Sequence, residues 1–370
     1  MLEHPRFAPP TEQGALFPVF KDDRTDRIVF NRVPRNRVEF HLPGYARYTI
    51  GGHDLLELHV PAGHQMRFFT DDLADCYPAM RASADRARTN SLAFTASLQS
   101  FAGTRAHRQF LRRCSREGVT PPRRVRPCHQ GLPMGDLNAA DWCAEAHTRL
   151  LRRRGSLLER RCLLNGRPAP RGGHVEALVL DDHLGIAIDP VVPQPGVRTN
   201  VDALHESFAR AATAYEVSGW RSSAEKARRA VDGGTFLGAE VLAGSTLLGA
   251  EGFRRAELAR ASWALVLARR ATPAVLRRLL AMWVHALLYR RPMLALLGSL
   301  HRECEAAGGE NEVFALSLRG VAALARLAVL APLMCSDLSA PMAAQVFAAD
   351  ASQYVRARGL PCGGPAGAHP

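Results

Sequence analysis

The chain has almost no lysine. Lys21 and Lys226 are the only two in 370 residues, yet the net charge is +13 and the pI ≈ 10.0. Its basic character is therefore arginine, which stays charged when buried and grips phosphate through two N–H groups at once. CxxC pairs are also missing. Cys76, Cys114, Cys128, Cys143, Cys162, Cys304, Cys335 and Cys362 are scattered. The grouping of Cys114, Cys128, His129, Cys143 and His147 matches no common zinc knuckle. Nothing reads as a signal peptide, so a disulfide framework is not expected. No run of about 18 apolar residues is free of charge, which excludes a helical membrane span and leaves a reducing cytoplasm or nucleus as the expected compartment.

What is present is a hydrophobic content of 47%, enough for a folded chain of two or three domains. The positive excess calls for an anionic partner, nucleic acid first and an acidic membrane surface second. The acidic residues gather where they are least expected. In residues 175–188, VEALVLDDHLGIAI, two short apolar runs flank Asp181 and Asp182. This pattern predicts strand, tight turn and strand. Hairpin turns favour Gly or Asn, whereas adjacent carboxylates repel unless a cation sits beside them. The stretch is a candidate metal platform or an acidic solvated turn.

A second acidic pair, Asp71-Asp72, follows the apolar run QMRFFT at 65–70. It is either the acidic start of a helix or one half of a shared cation site. Residues 1–16 read as a loose leader and 80–96 as a helix. Residues 104–126 read as an exposed basic loop. After the tight turn GLPMG at 131–135, helical spacing runs from Asp136 to about Arg153. A Pro-rich connector leads to a helix over 201–219, then a strand over 236–241. Helices over 254–304 break near Thr272-Pro273 and Pro292, and another covers about 312–330. Arg24, Arg27, Arg32 and Arg35 beside Lys21 suggest a phosphate-gripping strand pair or a basic solvated edge.

These motifs, in this order, resemble the reverse transcriptase domain of retroelements, most like the DIRS-like and retrovirus-like branches, over roughly residues 17–350. FPVFKDDRTDRIVFNRVPRN looks like the segment of the fingers that grips a triphosphate, which implies phosphate contacts for Lys21 and Arg27. Asn31 and Val33 stand where Asp and Arg are commoner. TDDLADCY looks like the first palm motif, implying Asp72 as metal ligand and Tyr77 as the ring that excludes a ribose 2′-hydroxyl. LPMGDLNAADW looks like the nucleotide-positioning turn, with Met134 where Gln is common, so that the backbone of Gly135 carries the contact. LVLDDHLGI looks like the catalytic hairpin, with Val179 or Leu180 in place of an aromatic. GWRSSAEK makes Lys226 a candidate acid toward pyrophosphate. TFLGAEV resembles a primer grip, with Leu237 and Gly238 at its centre. PMAAQVFAADAS resembles the opening of an RNase H domain with Asp350 as its first carboxylate, begun and not completed, as in a truncated copy.

The resemblance implies an α+β polymerase right hand. Its parts would be a leader (1–16), partial fingers (17–64) and a palm (65–245) carrying an inserted basic segment near 100–130. A helical thumb or connection (246–305), a further connection with the RNase H start (306–358) and a disordered tail (359–370) would follow. It also implies an RNA-directed DNA polymerase of a retrotransposon. Asp72, Asp181 and Asp182 would hold Mg²⁺ or Mn²⁺ against deoxynucleoside triphosphates on an RNA or DNA template-primer. RNase H, recombinase or integrase domains would accompany it in a polyprotein. The alternatives are an inactive, domesticated nucleic-acid-binding remnant and an unrelated helical interaction protein whose acidic turns are accidental.

Overall fold

The computed structural model describes residues 1–5, 12–341, 345–348 and 358–361. Asp350 and most of the 359–370 tail lie outside the described residues. Next to Asp350, the backbones of Gln345–Ala348 and Arg358–Pro361 form an antiparallel pair.

The molecule is built on one antiparallel sheet. Its order is Arg228–Val231, His64–Ala74, Asp182–Pro190 and His174–Val179, with Arg221–Ser222 pairing the far end of the second strand. The alternation of apolar residues decides which way each strand faces. Met66, Phe68, Val175, Ala177, Leu184 and Ile186 turn to one side. There they meet a second sheet formed by Gly234–Phe236, Ala239–Val241, Leu247–Ala250 and Cys335–Asp337. Phe68 stacks on Phe236 with ring centroids 4.4 Å apart. Behind the second sheet lie the helices Gly252–Ala268, Pro273–Leu287, Gly298–Ala306 and Leu318–Leu330, with Trp283 buried among them and donating to Ser262 at 2.9 Å. No helix among the described residues is long and apolar enough to cross a membrane.

The opposite face of the central sheet carries helices Ala139–Arg153 and Asn200–Ser218. Leu73 and Leu178 pack with Cys143, Leu151, Ala211, Ala214 and Tyr215, while Phe69 and Ala187 pack with Leu204 and Phe208. Gly185 permits the close approach, since a Cβ there would stand 2.7 Å from the Phe208 ring. Helix Asn200–Ser218 starts with a reciprocal cap between Thr199 and Asp202 and ends at Gly219, φ 70°.

Several sequence expectations change. Residues 1–16 are not a loose leader throughout. Leu2–Glu3 pairs with Arg124–Pro127, because Leu2 is buried with Phe110, Cys114 and Val125, and the Glu3 carboxylate is held by Arg88 and Arg113. The basic stretch 104–126 is not a loop. It holds the helix Arg105–Arg116, which buries Phe110 and Cys114 and leaves Arg105, Arg108, Arg112 and Arg116 exposed, a spacing that puts all four on one face. The helix expected over 80–96 shrinks to Ala84–Thr89, where Asn90 turns away to meet Arg32. The strand expected over 236–241 is two strands joined at Leu237-Gly238. The helix expected over 312–330 begins at Leu318, because Phe314–Ala315 pairs with Arg270–Ala271.

The arginines near Lys21 also divide. The strands Ala15–Asp22 and Thr25–Asn31 form an exposed two-stranded ribbon that carries Lys21, Arg24 and Arg27. Arg32, just past it, is buried and grips no phosphate. It reaches both Glu39 oxygens at 2.7 Å, Asn90 at 2.7 Å and Asp136 at 3.3 Å. Arg86 pairs with the same Glu39 and Asp136, and Arg35 is taken up by Glu12 and Glu39. Burial explains the division, since a buried guanidinium needs its charge and its donors matched.

Candidate active site

Asp72 and Asp182 stand directly opposite each other on neighbouring strands, and Asp181 is at the adjoining turn. The Leu73 N–H donates to the Asp181 carbonyl at 3.1 Å, which ties the turn to the central strand. Three carboxylates are thereby crowded together across more than a hundred residues of sequence. Loss of hydration, then Asp181 and Asp72 beside it, pushes the Asp182 carboxyl up to about 6. Asp181 also rises, by burial first and by Asp72, while Lys226 and Arg27 counter the rise. The charge of Arg27 on the ribbon therefore bears on the acidic turn. Lys21 is exposed on the facing strand of the same ribbon.

Lys226 arrives by a local device. After Arg221–Ser222 pairs with the central strand, the Ser223 N–H donates to the Asp72 carbonyl at 2.8 Å. Lys226 turns back on Ser223, and Thr70 donates to the Lys226 carbonyl at 3.1 Å. The Lys226 ammonium then meets both Asp72 oxygens, at 3.1 and 3.0 Å. That pairing raises its pKa, so the amine is protonated at neutral pH.

Tyr77 lies just beyond the central strand, half-buried, its phenol pushed up to about 12 by burial, then by Cys143 and Asp181. The Leu132 N–H donates to the Tyr77 carbonyl at 3.2 Å, which brings the LPMG turn beside it. Met134 is exposed, and Gly135 lies so close to the ribbon that a Cβ there would stand 2.7 Å from the Phe30 carbonyl. Asn31 accepts from the Val33 N–H at 3.1 Å, and the Val33 side chain is exposed. Leu237 and Gly238 form the tight turn, φ 51° and 77°, that joins two strands of the second sheet. That turn is fastened by Gly52 N–H donating to Leu237 (3.1 Å) and Tyr289 hydroxyl donating to Gly238 (3.2 Å).

Sequence reasoning missed the layer beneath the acidic hairpin. Glu176 and His183 pair at 3.0 Å, and Ser207 donates to the same Glu176 oxygen at 2.8 Å. Asp71, next to Asp72 but pointing inward, is bound by Arg229 at 2.7 Å. The only sequence sign was strand alternation, which turns Asp71 and His183 to the face opposite Asp72 and Asp182.

Among the described residues no group of three or more His, Cys, Asp or Glu side chains is drawn together as a formed metal site. At the three aspartates, Lys226 occupies both Asp72 oxygens. The donor set itself, all carboxylate and mutually repelling, suits a hard oxygen-seeking cation such as Mg²⁺ or Mn²⁺.

A central antiparallel sheet with helices on one face, a second sheet and helical bundle on the other and a basic ribbon at the edge make up an α+β right-hand fold of the reverse transcriptase polymerase type. The solved structures that share it include two of a foamy viral protease-reverse transcriptase with double-stranded DNA. Each matches at 13% identity and TM-score 0.54 over 88% of this chain, covering 44% of one matched chain and 52% of the other. The chain thus spans about half the length of these structures. No family model and no curated protein matches it.

Proposed function

We propose that the chain is an RNA-directed DNA polymerase of a retrotransposon, from the DIRS-like or retrovirus-like branch, extending a primer on an RNA or DNA template. The observation that carries this reading is the meeting of Asp72, Asp181 and Asp182, with Lys226 beside them, at the ends of the two inner strands of a polymerase-type sheet. Two Mg²⁺ or Mn²⁺ ions, when bound, would lower the pKa of the primer 3′-hydroxyl and neutralise the leaving pyrophosphate. Asp72 and Asp181 would hold both, and Asp182 would support them. Lys226, released from Asp72, would give its proton to the departing pyrophosphate. Lys21 and Arg27 would bind the triphosphate, the Gly135 backbone would orient the nucleotide, and Leu237 and Gly238 would position the primer. The exposed stripe of Arg105, Arg108, Arg112 and Arg116 suits a phosphate backbone.

Primer extension on poly-rA/oligo-dT with Mg²⁺ or Mn²⁺ tests the reading. Extension that disappears on removal of the metal is expected. Absence of extension with retained template binding selects the second reading, an inactive nucleic-acid-binding remnant, which is favoured by the closed Lys226–Asp72 pair. As a separate check on the sugar contact, Tyr77→Ala is expected to relax discrimination against ribonucleotides by about tenfold or more, the loss of a one-group steric filter. Unchanged dNTP/NTP selectivity removes that role from Tyr77.

A further inference from the structure

The turn that carries Asp181 and Asp182 is held from below by a side chain outside every motif described above. Leu180, immediately before Asp181, has φ 57°, a left-handed backbone without a glycine to relieve it. Such a residue is strained and persists only where its surroundings impose it. Its carbonyl points down onto helix Ala139–Arg153, where His147 Nδ1 lies 2.8 Å away. A carbonyl only accepts, so Nδ1 carries the proton. His147 Nε2 is then the acceptor, and the Tyr215 hydroxyl of helix Asn200–Ser218 donates to it at 2.9 Å. Trp220 closes the edge of the ring, with centroids 5.6 Å apart. His147 is fully buried. Burial holds its pKa down to about 3 against the opposing pull of the Leu180 carbonyl, so the ring stays neutral and its two hydrogen bonds set the tautomer.

We propose that His147 is a positioning residue: its Nδ1–H, locked by Tyr215, fixes the Leu180 carbonyl and so aims the carboxylates of Asp181 and Asp182 at Asp72. The proposal rests on the polymerase reading for its catalytic consequence but not for its effect on cation binding. It differs from an ordinary satisfied core histidine in one respect, that a donor at the Nδ1 position is required and one at Nε2 is not a substitute.

The test compares His147→Asn, whose amide reaches the Nδ1 position, with His147→Gln, which reaches the Nε2 position. The readouts are Mn²⁺ binding by electron paramagnetic resonance and primer-extension kinetics, with melting temperature as a check of folding. His147→Asn is expected to stay within about threefold of the parent. His147→Gln is expected to bind Mn²⁺ about tenfold more weakly, the usual loss when a group supporting metal ligands is removed. It is also expected to lose about 10²-fold in kcat with little change in the nucleotide KM, the effect of a misplaced reacting group. Equal behaviour of the two variants overturns the proposal. If the parent extends no primer but His147→Gln alone still weakens Mn²⁺ binding, the positioning role stands and the polymerase reading falls. Should His147→Gln not fold, Tyr215→Phe takes its place, and Mn²⁺ affinity equal to the parent then overturns the proposal.

Discussion

Changing Asp181 and Asp182 together to Asn is expected to reduce primer extension by at least about a thousandfold, equivalent to about 4 kcal/mol of barrier. The fold is expected to survive, with a melting temperature equal to the parent's or higher. Both halves follow from the same geometry. Burial first, and the neighbouring carboxylates after it, push Asp181 and Asp182 up, so the three charges stand in one another's field. Removing two charges relieves that repulsion in the folded state. It also removes two of the three carboxylates proposed to hold a hard cation. Extension kinetics and thermal denaturation of the double variant measure the two halves. Activity near the parent level refutes the assignment of these residues.

Arg32→Met is expected to have the largest effect on stability, destabilising by about 3–5 kcal/mol, the usual result of leaving buried charges without their partner. That is a large share of the roughly 5–15 kcal/mol that holds a domain together. Arg32 is 1% exposed and serves Glu39, Asp136, Asn90 and Thr89 at once. Its loss leaves Glu39 with Arg35 and Arg86, and Asp136 with Arg86 alone. The same cluster governs acid stability. Burial works to raise the Glu39 carboxyl, but Arg32 and Arg35 outweigh it and hold the pKa at about 2, below the ordinary value of 4.5. A carboxyl depressed in the fold stabilises fully above its unfolded pKa and loses that contribution as pH falls. Urea denaturation of the parent should therefore show the contribution of Glu39 intact above pH about 4.5 and draining away toward about 2. A midpoint for Arg32→Met equal to the parent's would show that the cluster is idle.

The acidic hairpin was legible because its information is local: two short apolar runs, a break of two aspartates and alternation that fixes the faces. Asp72 was legible for the same reason, at the end of its own apolar run. Their convergence was not written in either stretch, and the order of motifs suggested it. What escaped depends on partners far apart in sequence. Leu2–Glu3 looks like a loose end until residues 124–127 supply its neighbour. Arg32 looks like one more surface arginine until Glu39, Asn90 and Asp136 surround it. The turn at Leu237 was masked because a left-handed leucine carries no composition signal, and here Gly52 supplies the hydrogen bond that imposes it. His147 was read only as one histidine in a cysteine- and histidine-bearing stretch, because its meaning lies in a carbonyl 33 residues away.

The central claim is that Asp72, Asp181 and Asp182 share a divalent cation, with Lys226 yielding its place on Asp72. A crystal of the protein grown with Mn²⁺ and measured for anomalous scattering tests this most directly. The predicted result is a Mn²⁺ peak between Asp72 and the Asp181-Asp182 turn, with the Lys226 ammonium displaced from the Asp72 oxygens. A saturated crystal in which the Lys226–Asp72 pair stays closed and no peak lies among the three carboxylates would contradict it.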